Sequence, residues 1–150
     1  MQISETISAG RIILDAHVDC AKQVFRMVAE PASAALHIPE RDILNALCER
    51  ERLGTTAVGS GISIPHARMP GAEKTIAWFV RLSEPIHMDA PDDLPVDLFF
   101  ILLAPESANN EHLRVLSRIA RLLRSPEAQE RIRSAVSAEG IADIFAHEEA

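Results

Sequence analysis

The sequence predicts an α/β layered domain, and three observations carry that expectation. Helical apolar periodicity opens the chain, two apolar β-type runs occupy its middle, and helical periodicity returns after Pro105. One domain over residues 1–150 is expected, because 47% apolar side chains in 150 residues suffice for a core of ordinary size. No repeat, low-complexity run or linker divides the chain.

Val18, Ala21, Val24, Phe25 and Val28 recur at helical spacing, and Pro31 obscures where that first helix stops. Pro39 suits the first turn of a second helix, whose stripe of Ile43, Leu44 and Leu47 runs until Gly54 supplies a stop after Leu53. TIAWFVRL, from Thr75 to Leu82, and VDLFFILLAP, from Val96 to Pro105, are rich in β-branched and aromatic residues. The second is almost continuously apolar, as a strand covered on both faces must be. A polar loop then leads to Asn109 or Asn110 as an N-cap, with Leu113, Leu116, Ile119, Ala120 and Leu123 on one helical face. Ser125-Pro126 starts another short helix, and a last helix is expected from Ala138 to Phe145.

Composition narrows the function. Fifteen basic residues against twenty-two acidic ones leave a net charge of −7, which disfavours nonspecific attraction to nucleic acid or an anionic membrane surface. No basic leader with an apolar run opens the chain and no apolar stretch is long enough to span a bilayer, so a cytoplasmic location without membrane insertion is expected. Cys20 and Cys48 both fall in expected helices, which predicts buried, reduced thiols rather than a disulfide or thiolate metal site. The six histidines show no close ligand-like spacing, and neither GxGxxG nor GxxxxGK[ST] signals a nucleotide. No GxSxG elbow supports Ser60 or Ser63 as a hydrolase nucleophile. Asp92 and Asp93 are assigned to a solvated turn.

Chemistry is expected between Gly54 and Arg68, in GTTAVGSGISIPHAR, which holds three of the six glycines. Glycines there permit unusual backbone angles and close approach to main-chain N–H groups, while Thr55, Thr56, Ser60 and Ser63 add hydroxyls. Pro65 biases Ile64 toward an extended conformation, so His66 leaves a short strand in a restricted direction. Two readings stand: a histidine satisfying a turn, or a phosphoryl acceptor with one ring nitrogen pinned by a backbone carbonyl and the other free. The surrounding donors favour the second. His112, in the first turn of its helix, is either a surface residue beside Leu113 or a donor to an anion held at the helix N-terminus. Arg50, Arg52 and Arg68 flank the segment; Arg50 is preferred as a donor, against pairing of these arginines with Glu49 and Glu51.

RERLGTTAVGSGISIPHAR from Arg50, DDLPVDLFFILLAP from Asp92 and EHLRVLSRIARLL from Glu111 together resemble the enzyme IIA domains of the bacterial phosphoenolpyruvate-dependent phosphotransferase system. The resemblance is to the mannitol and fructose class, particularly its nitrogen-regulatory branch, and spans most of the chain. Gly54-Thr55-Thr56 stands where that family commonly has Gly-Ser-Thr, and Ser63 where an alanine is usual. The resemblance implies a mixed β-sheet flanked by helices, phosphorylation of His66 on Nε2, and His112 as the neighbouring active-site histidine. In the expected mechanism Thr56 and backbone N–H groups share the phosphoryl charge, His112 steadies it and Arg50 orients the docking partner. The expected donor is a histidine-phosphorylated, HPr-like carrier protein. No cofactor or metal is expected.

The expected role is a regulator that acts on downstream target proteins through its phosphorylation state. The alternative is a sugar-specific IIA passing phosphate to a IIB domain. A third reading, ranked last, has His66 and His112 binding a metal ion.

Overall fold

The computed structural model describes residues 2–107 and 110–147. A six-stranded mixed sheet forms the middle layer, in the order β1-β5-β6-β3-β2 with β4 also on β6. Its strands are β1 (Ile12–Ala16), β2 (Ala57–Gly59), β3 (Ile62–Ser63), β4 (His66–Met69), β5 (Ile76–Ile86) and β6 (Val96–Pro105). The helices are α1 (Ala21–Leu36), α2 (Glu40–Arg52), α3 (Asn110–Arg124), α4 (Pro126–Ser134) and α5 (Ala138–His147), and two single 3₁₀ turns precede β1.

The apolar run of β6 has the expected cause, because both faces of the sheet are covered. Phe99, Ile101 and Leu103 join the core that α1 and α2 close with Phe25, Val28, Ile43 and Leu47. Leu98, Phe100 and Leu102 join the opposite core with Val115, Ile119, Ile132 and Ile141 from the last three helices. There Phe145 meets Phe79 and Phe100 edge-on, each pair with ring centroids 5.3 Å apart. Period-two alternation along one strand thus splits its side chains between two cores.

The edge of β6 away from β5 is shared. β3 runs parallel to its first half, with Ile62 opposite Leu98, and β4 to its second, with His66 opposite Leu102. Pro65 stands at the break, where its carbonyl still accepts from Leu102 N–H at 2.9 Å. Proline has no N–H to give a ladder, so an interrupted edge is where it fits.

Several expectations change. Pro31 lies inside α1 on its exposed side, and the helix continues to a left-handed cap at His37 (φ 57°), whose N–H reaches Ser33 O at 2.9 Å. Pro39 is the N-cap of α2 rather than part of its first turn. β5 continues to Ile86, and its bulge between Arg81 and Ile86 explains why apolar alternation fades after Leu82. Asn110 is the first residue of α3, so it is not the cap; Asn109 lies outside the described residues. Cys20 is the exposed N-cap of α1 and Cys48 is half-buried on α2, so neither is the buried thiol expected. Ser125 caps α4 as anticipated, accepting from Ala128 N–H at 3.3 Å. Among the described residues no helix is long and apolar enough to cross a membrane.

Candidate active site

His66 is the first residue of β4 and is half-buried. Its Nδ1 lies 3.0 Å from the carbonyl oxygen of Ile64. A carbonyl can only accept, so Nδ1 carries a proton, and in the neutral tautomer so defined the lone pair is on Nε2. Pro65 makes this local bond possible by setting the angle at which the chain turns from β3 into β4. The bond thereby defines which ring nitrogen is left for other chemistry.

His112 faces it from the first turn of α3, with ring centroids 6.0 Å apart and planes inclined by 52°. It is a buried residue, 3% exposed, so the surface reading of this histidine falls. Its Nδ1 is fully buried and has no hydrogen-bond partner among the described residues. Leaving such an atom unpaired costs about 1–3 kcal/mol, which a functional position tolerates more readily than a structural one. Burial pushes the His112 pKa down, and the nearby His66 and Arg68 push it further in the same direction. At neutral pH the ring is uncharged and sits at the head of α3, near the positive end of the helix dipole.

The two rings open into a shallow recess of about 440 Å³, also lined by Arg50, Arg68, Leu53 and Leu113. A smaller one of about 220 Å³, lined by Arg50, Thr56, Val58 and Leu116, also borders His66. Arg50 borders both, and its Nη1 donates to Gly54 O at 3.0 Å. Arg52 instead pairs with Glu49, which removes it as a candidate donor. Leu53, Leu113 and Val58 are 85%, 56% and 57% exposed, apolar groups beside the charged Glu49, Arg50 and Arg68. Such a face suits a protein surface better than an enclosed small molecule.

The glycine segment divides in two. Gly59 (φ 99°), Ser60 (φ 58°) and Gly61 (φ 78°) form the tip between β2 and β3, and none of them lines either recess at His66. A Cβ on Gly61 would lie 2.6 Å from Arg133 Nη2 and 2.9 Å from Asp97 Oδ1. These glycines shape a hairpin rather than cradle an anion. Asp92 is more than a solvated turn residue: its carboxylate accepts from Ser60 N–H at 2.8 Å and from Leu94 N–H at 3.2 Å. Those bonds hold its pKa below the ordinary value.

Thr56 also changes role. Its hydroxyl lies 2.6 Å from Glu51 Oε1 and 2.8 Å from Ser63 Oγ, and Thr56 itself is buried. Its only proton is committed to the carboxylate, so it supports the loop rather than offering a free donor beside His66. Glu51 was considered from sequence only as a partner for arginine. The signal that could have found it is a carboxylate in the last turn of α2, five residues before a hydroxyl that the chain brings back beneath it. Among the described residues no group of three or more His, Cys, Asp or Glu could hold a metal ion.

The chain matches the family described as "Phosphoenolpyruvate-dependent sugar phosphotransferase system, EIIA 2" over residues 5–148. A nitrogen regulatory protein of Bradyrhizobium diazoefficiens is 40% identical over 97% of this chain and 95% of its own. The crystal structure of nitrogen regulatory protein IIA-Ntr from Neisseria meningitidis is similar with a TM-score of 0.92 at 36% identity, covering 95% of this chain and 98% of that one. Enzyme IIAMTL of Escherichia coli, in a complex with phosphorylated enzyme IIBMTL, shares the fold with a TM-score of 0.80 at 21% identity, over 95% of this chain and 98% of that one.

Proposed function

The chain belongs to the EIIA 2 family of the phosphoenolpyruvate-dependent sugar phosphotransferase system, and from that premise we propose that His66 is its phosphoryl acceptor. The observation that carries this reading is the Nδ1 bond to Ile64 O, which leaves Nε2 as the nucleophilic nitrogen. The phosphoryl group arrives in line from a phosphohistidine of an HPr-like carrier protein. The donor's P–N bond breaks with its electron pair returning to the donor ring, while the lone pair of His66 Nε2 forms the new P–N bond. His66 keeps its Nδ1 proton, donated to Ile64 O, throughout. His112, neutral at the head of α3, faces the developing charge. Arg50 and the rim of Leu53 and Leu113 receive the partner. No metal or cofactor takes part in this scheme.

We read the output as regulation of other proteins, supported by the nitrogen regulatory relative that matches 97% of the chain. Phosphorylation adds roughly two negative charges to the docking face and so changes which surfaces it accepts. The test is to load the protein from phosphoenolpyruvate through enzyme I and a carrier, then offer it a mannitol- or fructose-type IIB domain. A regulator keeps its phosphoryl group in the presence of the IIB domain while still returning it to the carrier. Rapid discharge to the IIB domain would assign the chain to sugar uptake.

A further inference from the structure

We propose that Glu51 is a positioning residue for His66, acting through Thr56 and Ile64. The inference rests on the reading of His66 as acceptor and names the group that keeps its ring in place.

Four hydrogen bonds link the two side chains, each donor pointing toward Glu51. His66 Nδ1–H donates to Ile64 O at 3.0 Å, and Ile64 N–H donates to Thr56 O at 3.0 Å. Thr56 then donates twice to the carboxylate, from Oγ1 to Oε1 at 2.6 Å and from N to Oε2 at 3.2 Å. A carboxylate only accepts, so the Thr56 proton points to Glu51 and the Ser63 hydroxyl, 2.8 Å away, donates to Thr56. Glu51 therefore holds Thr56 by backbone and side chain at once. Thr56 in turn holds Ser63 by its hydroxyl and Ile64 by its carbonyl. The short Oγ–carboxylate contact has the length of a charge-assisted bond, the strongest of the series.

Closing the helix does not require this side chain. Gly54 N–H already caps the Glu51 carbonyl at 3.2 Å, and Arg50 ties Gly54 O back to α2. The carboxylate is free to act on the segment that follows, and that segment ends in the acceptor. An imidazole whose anchor moves by a fraction of an ångström loses alignment for in-line attack.

The test uses the whole chain and two separate readouts: the His66 tautomer, by ¹⁵N–¹H NMR of the unphosphorylated protein, and the rate of phosphoryl loading. Wild type shows the Nδ1–H form. Glu51→Ala is expected to mix in the Nε2–H form and to load roughly tenfold more slowly, as loss of an orienting partner does elsewhere. Glu51→Gln restores both, since an amide can accept from Thr56 N–H and donate to Thr56 Oγ1. Thr56→Val falls between them and decides the matter if Glu51→Ala does not fold. Wild-type tautomer and rate in Glu51→Ala, or in Thr56→Val where that variant must stand in, overturn the proposal. A tautomer that shifts in Glu51→Ala while wild-type protein takes up no phosphoryl group upholds the positioning and sinks the acceptor reading.

Discussion

Two ends of one short stretch, the hairpin tip at Gly59–Gly61 and the strand start at His66, look alike in composition and behave differently. At the tip, three consecutive residues take positive φ, and the turn is clamped from outside by Asp92 and by the Arg133–Asp97 ion pair at 2.8 Å. Arg133 Nη2 also reaches Ser60 O at 2.7 Å. At His66 the backbone is regular strand, and the only unusual feature is a ring bonded to the carbonyl two residues back. The difference teaches that the glycines serve shape, whereas the proposed chemistry lies where a proline breaks the strand. Variants at the tip should move stability and spare transfer; variants at the ring pair should move transfer and spare the fold.

Gly61→Ala carries the largest expected effect. It forces a side chain onto a φ of 78° and into the Arg133–Asp97 pair, and should lower stability by about 2 kcal/mol in a denaturant titration. The loading rate of the folded fraction should be unchanged; a matching loss of rate would show that the tip belongs to the site after all.

His112→Ala comes next. It removes a buried ring with an unpaired nitrogen, and phosphoryl loading should slow about tenfold, read by quenched-flow labelling, with His66 still the labelled residue. The same residue gives a pH signature. Its folded pKa lies below the ordinary 6.5, so the unfolded chain binds the proton first as pH falls. His112 therefore withdraws stability as pH drops from 6.5 toward its lowered value, and His112→Gln should flatten the melting temperature over that window.

Asp92→Asn has the smallest expected effect. Asp92 titrates below 3.8 in the fold, so the stability it contributes is present above that value and lost as pH falls through its depressed pKa. The variant should blunt the acid dependence of unfolding below about pH 4 while leaving the rate untouched. A change in loading rate would couple the tip to the ring pair.

Legibility in the sequence followed the same divide. The helical stripes and the run from Val96 to Pro105 were readable because burial imposes a period. Around His66 only a short strand before it was readable, because β2, β3 and β4 are three, two and four residues long and owe their existence to the edge of β6. β1 was missed since Ile12–Ala16 is brief and ends beside Asp15 in a left-handed conformation. At the site, His66, its carbonyl-pinned nitrogen, His112 and Arg50 were nameable in advance, because each depends on a neighbour in the chain or on a helix end. Two things were not. The glycines sit where tertiary contacts with Asp92 and Arg133 make them turn residues, and Thr56 gives its proton to Glu51 only once α2 has folded back over it.

The proposed transfer requires a phosphoryl group to reach His66 and no other residue. Intact mass measurement after incubation with enzyme I, carrier and phosphoenolpyruvate tests this directly. Wild type should gain one acid-labile, base-stable phosphoryl group and His66→Ala none, with both proteins unfolding at similar temperatures. A folded His66→Ala protein that still takes up the group would contradict it.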